Sequence, residues 1–321
     1  MKHLHSWLQN AWQSWKLQLE NNSFASATLL VSPPGLDTFQ LAEQFARSLM
    51  CTTSPSDPCG FCHSCDLMQS GNHPDYHVVR PEKEGKAITI EQIRQCNRIA
   101  QESSQLSGYR LFVIEPAEAM NESAANALLK TLEEPSEKCV FILIAAKANI
   151  LLPTIVSRCQ QLSIAEPKPS VVTTWLQQEV GQEVPPFASH INGNAPVKTK
   201  TFIEEGGLEQ YKDIEKAFIS ALQGDIAAAM HCVKKLNEAP AIRLTWLWYL
   251  LTDAQKVHFG IENRSFTPGC HTLSAQLSYV VLEQQSLSLA TLIEKVRQFP
   301  GLNTELLITD WIFNFNEEAC L

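Results

Sequence analysis

Residues 110–146 read RLFVIEPAEAMNESAANALLKTLEEPSEKCVFILIAA. The first run (Arg110–Glu115) and the last (Cys139–Ala146) are short, apolar and rich in β-branched residues, as strands are. Between them, ESAANALLKTLEE has helical spacing, with Asn121 placed to cap its first turn and Pro135 to stop it. Strand, helix and strand in that order make one βα crossover of a parallel sheet.

Working outward, the alternation continues from about residue 28 to 165. Thr28–Ser32 (TLLVS) and Tyr76–Arg80 (YHVVR) read as further strands, with Cys159–Ile164 (CQQLSI) as a fifth. Phe39–Met50 sets Leu41, Phe45 and Leu49 on one helical face, and Ile90–Ser103 opens with Thr89-x-x-Gln92, a capping-box pattern. Pro167 and Pro169 break the composition, after which strand signals fade and turns fall at Gly193, Gly206–Gly207 and Pro240. The expected fold class is therefore α/β followed by all-α. Residues 1–165 form the sheet domain, with an insertion at 51–65; residues 166–206 form a small helical domain and 207–321 a helical bundle. AIRLTWLWYLLTDAQKVHF is the bundle's most apolar helix, and no internal repeat is evident.

The 321 residues are 45% hydrophobic and 18% charged, which suits packed domains rather than a solvated chain. A net charge of −9 argues against a surface that grips nucleic acid throughout, while leaving room for a local patch or for DNA contact shared with partners. The N-terminal segment MKHLHSWLQNAWQSWKLQLENN carries Leu4, Trp7, Leu8, Trp12, Trp15 and Leu19 at helical spacing. That stripe reads as a docking face on the protein's own core, with a membrane anchor as the rival reading. Polar interruptions disqualify it as a signal peptide, and no run reaches the roughly 20 apolar residues of a spanning helix, so a cytoplasmic location is expected.

Ten cysteines need a reason in a reducing compartment. Cys51, Cys59, Cys62 and Cys65 cluster, whereas Cys96, Cys139, Cys159, Cys232, Cys270 and Cys320 are scattered. The spacing Cys51-x7-Cys59-x2-Cys62-x2-Cys65 offers four soft donors to one tetrahedral Zn2+, and Pro58 and Gly60 suit the tight reversal between them. His63 and His73 read as spectators, because four thiolates already close a structural site. A redox pair and an iron–sulfur cluster are the alternatives, and the cluster accepts the same four thiolates.

After the first strand, a phosphate loop would read G-x-x-x-x-G-K-[ST]. Here Ser32 and Asp37 stand in place of its two glycines around Pro33-Pro34-Gly35, Thr38 in place of the lysine and Phe39 in place of the metal-binding hydroxyl. The lysine charge that balances the β and γ phosphates is gone, and Asp37 adds repulsion. The strand that should end in Asp-Glu ends in Glu115-Pro116, and proline can neither polarise water nor accept its proton. Glu115 reads as a solvated loop carboxylate. No ATP binding is expected.

Three stretches, CGFCHSCDLMQSGNHPDYHVV (59–79), NALLKTLEEPSEKCVFILIA (126–145) and LLPTIVSRCQQL (151–162), resemble the clamp-loader branch of the AAA+ proteins. Within that branch, the degraded loop and Pro116 look like the delta prime subunits of bacterial DNA polymerase III and unlike the ATP-hydrolysing gamma and tau subunits. The family's nucleotide-sensing Gly-Ser-x-Arg is matched by Gly193-Asn194-Ala195-Pro196, with proline in the arginine's place. The likeness implies a RecA-like domain with a zinc insertion, a helical lid and a collar-forming bundle. It implies a non-hydrolysing clamp-loader subunit that joins the delta subunit and gamma/tau ATPase subunits, acts on the sliding clamp indirectly, and meets primer-template DNA only within the assembled complex. It further implies that Ser157-Arg158-Cys159 is a motif whose Arg158 reaches ATP on a neighbouring subunit as an arginine finger. Two rival readings are an active AAA+ ATPase with an unusual phosphate loop and a zinc-dependent nucleic-acid binding module. ATP turnover by the isolated chain would mark the first, and single-stranded DNA binding the second.

Overall fold

The computed structural model describes residues 4–318 apart from residues 84, 107 and 300, and the side chains only as far as residue 315. Met1, Lys2, His3 and Cys320 lie outside the described residues. The chain forms two compact units, Met1–Pro167 and Lys168–Leu321.

The first unit holds β1 (Ala27–Val31), β2 (Tyr76–Val79), β3 (Arg110–Ile114), β4 (Cys139–Ala145) and β5 (Gln160–Ser163). Each expected strand is found to within one residue at either end. They form one sheet in the order β2-β3-β4-β1-β5, and every neighbouring pair is parallel. This is the RecA-like AAA+ layout that the resemblance implied.

Six helices accompany the sheet: α1 (Gln9–Glu20), α2 (Phe39–Met50), α3 (His63–Gln69), α4 (Ile90–Gln101), α5 (Glu122–Glu133) and α6 (Pro153–Val156). The Thr89–Gln92 capping box forms, and Asn121 accepts the Ala124 amide at 2.8 Å. Helix α4 stops two residues short of expectation. The buried Arg110 guanidinium donates to the carbonyls of Ile99, Glu102 and Ser103, which holds that segment out of the helix.

The sheet is apolar on both faces, as a parallel sheet must be when helices cover it twice. Leu29, Phe112, Ile114, Phe141 and Leu143 pack with α4 and α5, while Leu30, Leu111, Val113, Val140 and Ile142 pack with α1 and α2. Trp12 and Trp15 of the N-terminal stripe are buried in the second layer, as expected of a docking face.

In the second unit, α7 (Pro169–Val180), α8 (Pro186–Ile191), α9 (Pro196–Glu204), α10 (Gly207–Leu222) and α11 (Ile226–Glu238) come first. They are followed by α12 (Pro240–His258), α13 (Cys270–Gln276), α14 (Tyr279–Gln298) and α15 (Thr304–Glu318). Pro240 opens a helix rather than a turn, since a first-turn proline surrenders no intrahelical hydrogen bond. Buried side chains from Val172 to Phe315 form one apolar cluster. No described helix is long and apolar enough to cross a membrane.

A polar knot sits inside this unit. Asp253 on α12 is fully buried and accepts from His190 Nε2 on α8 at 3.0 Å and from the Thr267 amide at 3.1 Å. Burial would raise the carboxyl, but these hydrogen bonds outweigh it and hold the group below its ordinary 3.8. A carboxyl lowered by folding adds stability above its unfolded value, and loses it as pH falls through the folded one. Asp253→Ala should therefore cost about 3 kcal/mol at neutral pH, the low end for breaking a buried pair. Urea unfolding should show this loss, and the gap to the parent should narrow as pH falls below 3.8.

Candidate metal centre and closed phosphate loop

The insertion begins where α2 ends. Cys51 follows Met50 directly, the chain reverses at Gly60 with φ of +78°, and Cys62 caps α3 by accepting the Cys65 amide on its sulfur. The amides of Cys59 and Cys62 likewise point at sulfur, toward Cys51 Sγ and Cys59 Sγ, each at 3.4 Å. Such N–H···S contacts favour thiolate over thiol. The four sulfurs lie within 4.8 Å of one another, and Cys59 Sγ and Cys65 Sγ are 3.9 Å apart. Tetrahedral Zn–S bonds of about 2.3 Å place sulfurs about 3.8 Å apart, so the donor set fits zinc in kind, number and spacing.

Hydrogen bonding from Thr52 lowers the Cys62 thiol to about 5, whereas burial pushes Cys65 up to about 12. Metal uptake must expel the Cys65 proton, which couples binding to pH. His63 and His73 stand outside the four-sulfur group, and His73 is buried with both ring nitrogens engaged. Cys96, Cys139, Cys159, Cys232 and Cys270 are buried outside the four-sulfur group, and burial raises each thiol, as in unreactive core cysteines.

The loop between β1 and α2, where a phosphate loop would sit, is bonded to the chain's own N-terminal segment. Thr38 and Ser32 are buried and joined hydroxyl to hydroxyl at 2.5 Å. Trp7 Nε1 donates to the Leu36 carbonyl at 2.8 Å, and the His5 amide donates to Gln40 Oε1 at 3.0 Å. His5 Nε2 lies 3.4 Å from the Asp37 carboxylate and stacks on Trp7. Gly35 and Asp37 take φ of +86° and +52°. Asp37, in the place of the second glycine, adopts a left-handed conformation that suits its short polar side chain.

Glu115 is not the solvated loop carboxylate that its sequence position suggests. Arg80 binds it through Nε at 3.0 Å and through a terminal guanidinium nitrogen, while the same guanidinium lies 4.2 Å over the Phe39 ring. The pairing spans thirty-five residues of sequence and leaves no local signal. Pro116 follows through a cis peptide. In the second unit, Pro196 takes the first turn of α9 behind Gly193 and Asn194, both at positive φ.

In the triplet after α6, Ser157 Oγ donates to the Thr154 carbonyl at 3.1 Å and Cys159 is buried in the core. Arg158 stays on the surface between these anchors. Its NH1 donates to the Thr154 carbonyl at 2.8 Å, and its NH2 pairs with Glu133 at the end of α5.

These observations define a class: a RecA-like AAA+ module whose loop after the first strand carries no lysine and is bonded to the chain's own N-terminal segment, and which carries a four-cysteine centre. The chain belongs to the family of DNA polymerase III delta prime subunits. The family described as "DNA polymerase III, delta subunit" matches residues 7–168, and its C-terminal counterpart matches residues 205–317. Proteins named DNA polymerase III subunit delta′ are similar over most of their length. The Pseudomonas aeruginosa protein is 34% identical, covering 71% of this chain and 70% of its own. The Escherichia coli protein is 30% identical over 95% and 93%, and that of Haemophilus influenzae 29% over 97% and 96%.

Metal analysis of the purified chain should find about one zinc, in a colourless protein, as four thiolates on one Zn2+ require. Replacing Cys62 and Cys65 by serine should release it and loosen the segment around residues 51–75, read by hydrogen exchange, while the sheet stays protected. A metal-free parent would remove the centre, and visible absorption from sulfur-to-iron charge transfer would reassign it to an iron–sulfur cluster.

Proposed function

We propose that this chain is the non-hydrolysing subunit of a bacterial DNA polymerase III clamp loader, assembling with delta and gamma/tau subunits to place the sliding clamp on primed DNA. One observation carries the reading. The loop that would cradle ATP has Thr38 where a lysine should stand, and His5, Trp7 and Gln40 seal it. A triphosphate entering there would meet Asp37 next to where the lysine's charge should stand, with the nearby Arg80 already paired to Glu115, and would have to displace the N-terminal segment.

On this reading the catalytic contribution goes to a neighbour. Arg158 projects from the turn after α6, held at both flanks by Ser157 and by buried Cys159, a mount suited to carrying a guanidinium across an interface. Its bond to Glu133 is partly exposed and contributes about 0–1 kcal/mol, as surface pairs do. An arginine finger on a transferring phosphoryl group is worth about 4–7 kcal/mol of barrier, so ATP in a partner outcompetes the internal carboxylate. The remaining parts follow: residues 166–206 as a lid and 207–321 as the collar segment, a structural Zn2+, DNA met inside the ring, and the whole at work in the cytoplasm.

Arg158→Ala should leave folding, zinc content and complex assembly intact. It should remove the DNA-stimulated ATPase of the single site it serves by about 10³-fold or more. Steady-state ATPase of the reconstituted complex measures this, and a rate equal to the parent's would discredit the finger. Equilibrium binding of a fluorescent ATP analogue checks the closed loop separately, with no saturable micromolar binding expected to the isolated chain.

A further inference from the structure

Ser64 lies between two of the cysteine ligands, yet its side chain turns inward and is buried. Its hydroxyl donates to the Met50 carbonyl at 2.6 Å. That carbonyl is the last of α2 and is left without a helical partner, and Cys51 follows it directly. With the proton committed there, Ser64 Oγ can only accept from His73 Nε2, 2.8 Å away. His73 Nδ1 in turn accepts the Asp75 amide at 3.2 Å. A backbone carbonyl only accepts and a backbone amide only donates, so both ends of the chain fix its direction. His73 is thereby held as the neutral Nε2–H tautomer.

The chain continues into the sheet. The Asp75 carboxylate, fully buried, accepts the amides of Gln105 at 2.9 Å and Leu106 at 3.0 Å. The Asp75 carbonyl accepts the Leu111 amide at 2.9 Å, at the head of β3. Buried polar groups of this kind are satisfied in any stable core, and that alone would give Ser64 and His73 no role beyond packing. Their placement says more. Two arms frame the four sulfurs, Cys51 at the end of α2 and Cys62 with Cys65 at the start of α3, with Cys59 on the loop between them; the Met50–Ser64 bond joins the arms while His73 locks that bond to the sheet.

We infer that Ser64 and His73 are the positioning residues of the metal centre, touching no ligand atom but fixing the spacing of its two arms so that four sulfurs converge. The inference rests on the four-cysteine site being a zinc site. Outer partners of this kind govern how much ordering free energy the metal must supply.

The test is zinc affinity of the full-length chain, by competition with a chromogenic chelator, for Ser64→Ala, His73→Ala, His73→Gln and the Ser64→Ala/His73→Ala double variant. Ser70→Ala, on the exposed end of the same helix, is the control. We expect Ser64→Ala and His73→Ala to bind zinc about 10- to 100-fold more weakly, as outer-shell losses do. The double variant should be no worse than the weaker single, because the two residues act in series. His73→Gln, which keeps a donor for Ser64, should recover part of the loss, and Ser70→Ala should match the parent. If His73→Ala does not fold, Ser64→Ala and His73→Gln decide alone. Zinc affinities within about twofold of the parent in folded Ser64→Ala and His73→Gln would overturn the inference. A parent chain without zinc would instead sink the metal centre itself.

Discussion

A parallel sheet has no face to spare for water, because its crossovers require helices on both sides. Strands β3 and β4 are buried along their whole length and meet the demand with alternate residues, Phe112 and Phe141 toward one layer, Leu111 and Val140 toward the other. The second layer is completed by α1, whose Trp12 and Trp15 pack beside Phe45 of α2. Docking that helix brings the residues just before it to the mouth of the phosphate loop, where Trp7 and His5 find Leu36, Gln40 and Asp37. Closure of the nucleotide loop is thus tied to completion of the core. At the turn itself, the buried hydroxyls of Thr38 and Ser32 satisfy each other.

The metal insertion solves a different problem. A loop from the end of α2 to the head of β2 has little apolar surface of its own to order it. Thiolate bonds to zinc can supply that order, and structural sites in small peptides contribute about 10–16 kcal/mol. Such a site stiffens only its own loop unless something carries the constraint inward. The run of Ser64, His73 and Asp75 is that connection, and Arg110 extends it to the carbonyls that terminate α4. Each member is buried and hydrogen-bonded, so removing one partner strands the next in a low-dielectric interior, which makes such a network stiff.

Much of this was legible before any coordinates. Strand positions followed from runs of β-branched residues, the starts of α4 and α5 from Thr89, Gln92 and Asn121, and the metal set from cysteine spacing, because each signal lies within a few residues of sequence. What escaped reading was long-range pairing. Arg80 finds Glu115, His5 finds Asp37 and Arg110 finds Asp75 across about thirty residues in each case. Only the fold brings them together, and a lone charged residue looks solvated until its partner is known. The early end of α4 escaped for a nearer reason: Ser103 has ordinary helix propensity, and its carbonyl is claimed by the guanidinium of Arg110, seven residues further on. His73, read as a spectator, stands outside the four-sulfur group, and nothing in the sequence signals its bond to Ser64.

Arg158 draws these threads together. In the arginine-finger role proposed above, Arg158 must be exposed while the chain is alone, yet a free guanidinium on a flexible stem can adopt many conformers and loses that freedom on binding. The surface pair with Glu133, backed by the Thr154 carbonyl, restricts the guanidinium at almost no cost to stability. Because the bond is weak, a phosphate with its greater charge can take the arginine over. Because Cys159 is buried and Ser157 is tied to Thr154, the backbone beneath need not move when that exchange happens. On the proposed function, the closed loop and the exchangeable arginine belong to one division of labour: a subunit that holds no nucleotide of its own presents Arg158 to the neighbour that does.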